Sequence, residues 1–170
     1  NTLDTIIWMT ESKKTDQVVK IVTALSNFFR ISLSKGMDWI TIGEEVERIR
    51  SYLTIQRMRY RDILDFKIEV DENVAENTIL KLILQPLVEN AIRHGFGDKP
   101  DGGTVTISVH RENEQLIIVV EDDGIGLEPG VTHEEKVGIG NTRSRLAYLY
   151  GDRYRLQIAP VNPNGTRVEI

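Results

Sequence analysis

The chain has 170 residues, 40% hydrophobic and 28% charged, with a formal net charge of −5 and a pI near 5.3. That length allows one ordinary domain, roughly 100–150 residues, with a helical appendage, and the composition lies far from the signature of disorder. The acidic balance excludes the basic footprint of a nucleic-acid or anionic-membrane binder, the absence of cysteine excludes disulfides and thiolate metal sites, and no signal peptide or apolar run of the roughly 20 residues needed to span a bilayer is present.

The N-terminal third reads as helices. From Asp16 to Leu33 the apolar positions Val18, Val22, Leu25, Phe29 and Leu33 recur at spacings of three and four, flanked by Ile21 and Phe28, which predicts a helix with a wide apolar face. After Lys35-Gly36, Thr41 and Glu44 stand in the capping-box pattern, and Val46, Ile49 and Leu53 share one stripe of a second helix running to about Arg61. Such helices serve either as a packing layer or as a dimerising surface.

At Leu64 the period changes: Leu64, Phe66, Ile68 and Val70 alternate with polar neighbours, as in a half-buried strand, so a second domain begins here. The block ILKLILQPLVENAIRHG predicts one helix, kinked or locally opened at Pro86. TVTISVH alternates cleanly and QLIIVV is continuously apolar, predicting a half-exposed and a central strand joined as a hairpin around Glu112-Asn113-Glu114. A loop from Gly124 to Gly140 leads to a helix starting near Asn141 and ending on Gly151, and two short strands close the chain across an Asn-Pro-Asn-Gly turn.

Three groups of residues carry chemistry. Glu89, Asn90, Arg93 and His94 fall on one helical face; carboxamide oxygen, guanidinium and imidazole suit a magnesium-bound triphosphate, although the same pattern also describes an ordinary solvated face. Asp122-Asp123-Gly124-Ile125-Gly126 follows the central strand, so that a carboxylate could accept from an exocyclic amine and the glycines admit a flat ligand; a hairpin turn or a cation loop remain open. Gly138-Ile139-Gly140 opens a helix whose N-terminal N–H groups, with Asn141, Arg143 and Arg145 nearby, suit an anion. This pair follows a loop rather than a strand, which rules out a dinucleotide-binding fold.

The order of these pieces resembles the GHKL ATPases: gyrase, Hsp90, MutL and the histidine kinases. The likeness covers about residues 64–170 and implies an α/β (α+β) two-layer sandwich, a mixed sheet with helices on one face. It further implies Asn90 as magnesium ligand, Arg93 as phosphate contact and His94 as a wall of the ATP site. Asp122 would read the adenine amine, with Thr166 behind the adenine, while Gly124, Gly126, Gly138 and Gly140 shape the pocket and its lid. NTLDTI, ISLSKG, ITIGEEVERIRSYLTIQRMRYRD and LQPLVENAIRHG extend the likeness over the whole chain, to the LytS/YesM-like group of sensor histidine kinases.

That resemblance implies that residues 1–61 are the remnant of a histidine-bearing dimerisation region, that 64–170 form the ATP-binding catalytic domain, and that the acceptor histidine lies a few residues before Asn1. His94, His110 and His133 are then not the acceptor, and Glu89 is the candidate for the catalytic group. ATP, Mg²⁺, a response-regulator receiver domain and a second copy of the chain are the implied partners. The region is expected to be cytoplasmic, without direct membrane contact, in a full-length protein held in the cell membrane. A hinge is expected between Arg61 and Leu64. A serine kinase of the anti-sigma-factor kind and a nucleotide-responsive interaction module without kinase activity are the alternatives.

Overall fold

The structure, a computed structural model, describes residues 2–33, 38–60, 63–96, 102–126 and 137–170. Asn1, Arg61 and Asp62, where a hinge is expected, and His133, where a lid is expected, lie outside the described residues.

Three helices open the chain: α1 (Thr2–Glu11), α2 (Thr15–Ser32) and α3 (Ile42–Arg59), with a short strand β1 (Trp39–Thr41) before the third. The capping box is formed as expected, Glu44 N donating to Thr41 Oγ1 (3.1 Å) and Thr41 N to Glu44 Oε2 (2.9 Å). The strand β2 (Leu64–Val70) follows, then β3 (Thr78–Leu80), which pairs antiparallel with β1.

The structure corrects the reading of Pro86. The helix α4 (Gln85–Gly95) starts just before the proline and is preceded by the strand β3 and a connection in which Leu82 takes φ 65°. Proline in the first turn loses no bond, because those N–H groups have no partner within the helix anyway. No kink is therefore needed.

β4 (Gly103–Glu112) and β5 (Gln115–Asp122) form the expected hairpin, with Glu112 opposite Gln115 and Asn113 at φ 55° in the turn between them. Asparagine tolerates that left-handed conformation better than most side chains. α5 (Val137–Tyr150) ends at Gly151, whose φ of 57° suits a helix terminus, and β6 (Gln157–Pro160) and β7 (Thr166–Glu169) complete the chain.

The sheet has the order β2-β4-β5-β7-β6, with β2 and β4 parallel and the other pairs antiparallel. The parallel pair follows from the α4 crossover, and the continuously apolar β5 takes the central position. Val105, Ile107 and Val109 of β4, Ile118 and Val120 of β5 and Val168 of β7 are buried in one core with Leu87, Val88, Ala91 and Ile92 of α4 and with Ile139 and Leu146 of α5. The opposite face is mainly polar, with Val119 buried in it: Arg167 bridges Glu121 (3.5 Å) and Glu169 (2.7 Å) across it. This is the predicted sandwich, a mixed sheet with its helices on one face.

α3 joins two cores. Ile42, Val46, Ile49 and Leu53 belong to the sheet core, whereas Ile55 packs with Met9, Ile21 and Ala24 of α1 and α2. The stripe expected on α2 divides differently from its reading: Ile21, Ala24 and Ile31 are buried, while Val22, Phe29 and Leu33 are exposed. The apolar arc is wider than one neighbouring helix covers.

Candidate nucleotide site

Helix α4 supplies the polar face, and its start is set from both sides. The Leu82 and Leu84 N–H groups donate to the Glu45 carboxylate at 3.3 and 3.1 Å, so an anion from α3 satisfies the N–H of the capping residue and one in the connection before it, at the positive end of the helix. From α5, Arg145 donates to the carbonyls of Lys81 (2.7 Å) and Leu82 (3.2 Å). Glu45 and Arg48 are an ion pair at 0% side-chain exposure, with Nη2 2.7 Å from Oε1 and Nε 3.0 Å from Oε2.

The face read from the sequence is graded. Glu89 and Asn90 are half-buried, and Arg93 and His94 are exposed in the last turn, where positive charge complements the helix dipole. Tyr52 of α3 has its hydroxyl pKa pushed up to about 12, first by burial and then by the negative charge of Glu89, with Arg93 acting in the opposite sense. The Glu89–Arg93 row therefore lies towards α3. Asn90 and His94 are rotated by about 100° from it.

The C-terminal end of α4 meets the end of β5. A Cβ added to Gly95 would stand 2.9 Å from Asp122 Oδ1, and one added to Gly124 would overlap the Gly95 backbone. Ile125 N donates to the Gly95 carbonyl at 3.1 Å. Gly124 is thus required by the approach of α4, a reason the sequence reading assigned to a ligand, while Gly126 takes φ 80°. The Gly124→Ala substitution is expected to destabilise the chain by about 3 kcal/mol, measured by urea unfolding, because the Gly95 backbone stands where the methyl would go.

Asp122 is 4% exposed, accepts from Gly124 N at 3.0 Å and from the backbone N–H of Thr166, its partner across β5 and β7. Burial raises its pKa to about 6, against the lowering effect of those two backbone bonds, and Asp123 and Glu121 add to the rise. Asp123 faces the other way, accepting from Thr104 N at 2.7 Å. Two adjacent carboxylates are thereby split between the site and the start of β4, in the sense of strand alternation.

Gly138, Ile139 and Gly140 lie inside the first turns of α5, which starts at Val137 rather than near Asn141. The N–H groups left open at that terminus are then those of the glycine segment itself. Gly138 lies beside Pro86, so the N-termini of α4 and α5 are adjacent. Ile139 and Thr142 are buried, Thr142 Oγ1 donating to the Gly138 carbonyl at 3.1 Å; Asn141 is exposed and Arg143 half-buried. Arg145 holds backbone carbonyls.

Asp122, Gly124, Gly126 and Thr166 come together at one end of the sheet beside the end of α4, and Gly138 meets the start of that helix, with Gly140 half a turn further along α5. Among the described residues no group of three or more His, Asp or Glu side chains could hold a metal ion. A single half-buried carboxamide at Asn90 does fit magnesium that arrives with a nucleotide, since that ion keeps water and phosphate oxygens as most of its ligands. A separate open cavity of about 870 Å³, lined by Met9, Lys14, Lys20, Arg57, Met58 and Gly103 among others, contains none of these residues.

The sequence reading missed Glu45, Arg48, Tyr52 and Gln85. Its available signal was an acidic and a basic residue three apart, Glu45 and Arg48, interrupting the apolar side of α3.

Residues 75–170 match the family described as histidine kinase-, DNA gyrase B- and HSP90-like ATPase, and residues 1–64 match the histidine kinase family. The sensor histidine kinase YesM of Bacillus subtilis (strain 168) is 34% identical over all of this chain and 30% of its own length. The sensor histidine kinase BtsS of Escherichia coli (strain K12) is 31% identical over all of this chain and 29% of its own. The chain thus spans about three tenths of the length of these curated relatives.

Among solved structures, the histidine kinase domain of a blue-light activated kinase from Erythrobacter litoralis superposes with a TM-score of 0.63 at 22% identity, over 99% of this chain and 86% of that one. The mycobacterial sensor histidine kinase MprB gives 0.57 at 15% identity, over 79% and 95%. At those identities the likeness is one of fold. The chain belongs to the histidine kinase-, DNA gyrase B- and HSP90-like ATPases.

Proposed function

We propose that, within a longer protein, this region binds ATP with Mg²⁺ and passes the γ-phosphate to a histidine N-terminal to Asn1, from which it reaches an aspartate of a response-regulator receiver domain. The observation that carries this reading is the buried Asp122 abutting the end of α4, an acceptor suited to the adenine amine within reach of the polar face of that helix. Thr166 then lies behind the adenine. Asn90 supplies an oxygen to magnesium, Arg93 and Arg143 supply charge to the phosphates, and His94 walls the site. Gly138, Gly140 and Asn141 present the N-terminus of α5 to the phosphates.

Magnesium, when bound, would neutralise charge on the triphosphate. The imidazole nitrogen forms the new bond to phosphorus as the bond to the ADP oxygen breaks, and the imidazole proton passes to Glu89, on the row facing α3. Catalysis then rests on positioning and charge neutralisation.

Residues 1–61 and 64–170 are proposed as the dimerisation remnant and the catalytic domain, with α3 packed into both. Val19, Val22, Ser26, Phe29 and Leu33, all exposed, repeat at spacings of three and four along α2, which supports pairing with a second copy. No helix of the described residues is long and apolar enough to cross a membrane; the proposal places this region in the cytoplasm and the anchor elsewhere in the longer protein.

The test is autophosphorylation of the full-length kinase with radiolabelled ATP. A label lost in acid and kept in alkali supports histidine transfer. An acid-stable label would replace this reading with a serine kinase, and no label would favour a module that only binds nucleotide.

A further inference from the structure

We propose that Gln85 is a positioning residue for the Glu89 carboxylate and is itself oriented by the buried Glu45–Arg48 pair of α3. The inference rests on the reading of Glu89 as the group that takes the imidazole proton.

Arg48 has no exposure to solvent, and a buried guanidinium is costly unless its donors are matched. Glu45 accepts from Nε and Nη2, and Nη1 donates to Gln85 Oε1. With its oxygen committed to a cation, the Gln85 amide has one permitted orientation. Its Nε2 points along α4 and donates to Glu89 Oε1, one turn on, at 2.7 Å. Turned over, the amide would set donor against Arg48 and oxygen against Glu89.

One oxygen of Glu89 is therefore held, and the other is left for the reaction. A bond to an ionised acceptor is among the stronger hydrogen bonds and fixes the rotamer of the group that accepts it. The relay also has an origin outside the catalytic layer, since Phe28 of α2 lies over the Arg48 guanidinium at 5.9 Å. Glu45 at the same time binds the Leu82 and Leu84 N–H groups, so the pair that orients Gln85 also fixes where α4 starts. A core built only for stability would do as well with apolar residues at positions 45 and 48; what the ion pair adds is a single geometry.

Variants of Arg48 or Glu45 would leave an unpaired buried charge and risk unfolding, so the test uses Gln85→Met, which keeps the volume at the first turn of α4 and removes both bonds. In the full-length kinase, Gln85→Met is expected to lower the autophosphorylation rate at saturating ATP at least tenfold, with KM and Kd for ATP within twofold of the parent. Added to Glu89→Gln, itself slow, it should change the residual rate less than twofold, because a residue acting through Glu89 has nothing left to position. The relay is overturned if Gln85→Met reacts at the parent rate, if its loss appears in ATP affinity alone, or if it lowers the Glu89→Gln rate by the same factor as the parent's. Should Glu89→Gln by itself react at the parent rate, the assignment of Glu89 fails and the relay with it, an outcome distinct from a slow Glu89→Gln beside a fast Gln85→Met.

Discussion

Replacing Asp122 with asparagine is expected to make the chain more stable and a poorer ATP binder. The carboxylate is buried and its pKa is raised to about 6 from 3.8, chiefly by desolvation. A raised acid contributes its stability below the unfolded value, near pH 4, and loses it as pH climbs through 6, because only the native state resists ionisation. Asparagine resembles the protonated acid at every pH. Asp122→Asn should therefore be more stable than the parent at pH 8 by on the order of 1 kcal/mol given that the group borders the open site, seen as a higher unfolding temperature, with the difference vanishing near pH 4.

Binding should move the other way. An ionised Asp122 can accept from Gly124, from Thr166 and from an adenine amine together, whereas asparagine turns one of those acceptors into a donor. Loss of one charge-assisted bond of about 2 kcal/mol corresponds to roughly 30-fold weaker ATP binding. Thermal melts across the pH range, paired with ATP titrations, read both effects. Equal stability at pH 8 together with unchanged affinity would remove Asp122 from the site.

The second large effect concerns Asn90. If its carboxamide oxygen holds nucleotide-bound magnesium, Asn90→Ala should abolish the gain in affinity that Mg²⁺ confers on ATP and leave magnesium-free nucleotide binding within a few-fold of the parent. Autophosphorylation of the full-length kinase should fall by about 10²–10³-fold, the usual cost of losing one preorganised electrostatic contact to transferring charge. A variant that retains the full magnesium gain would show that Asn90 contacts something else.

Much of this arrangement was legible because local patterns decided it. Strict alternation from Thr104 to His110 and the unbroken apolar run of β5 fixed a half-exposed strand beside a central one, and Thr41 with Glu44 marked the start of α3. The segment before Pro86 was misread because a short apolar run fits a strand or a helix equally well, and only the pairing of Leu80 with Trp39 settles it.

The order of motifs, rather than any one of them, pointed to the family, and Thr166 beside Asp122 was foreseen from that order. What stayed hidden was contact at long range. Gly124 is a glycine because Gly95 touches it, and Gln85 is oriented by Arg48, 37 residues earlier. Neither partner is announced by spacing, since a sequence pattern reports the face of an element and not what the fold brings against it.

The central claim is that this chain holds ATP between α4, the end of β5 and the start of α5. Calorimetric titration of ATP with Mg²⁺ into the chain, beside Asn90→Ala and Asp122→Ala, tests it most directly. The account predicts saturable binding of one nucleotide per chain that both substitutions weaken. No heat of binding at millimolar ATP, or binding indifferent to both residues, would contradict it.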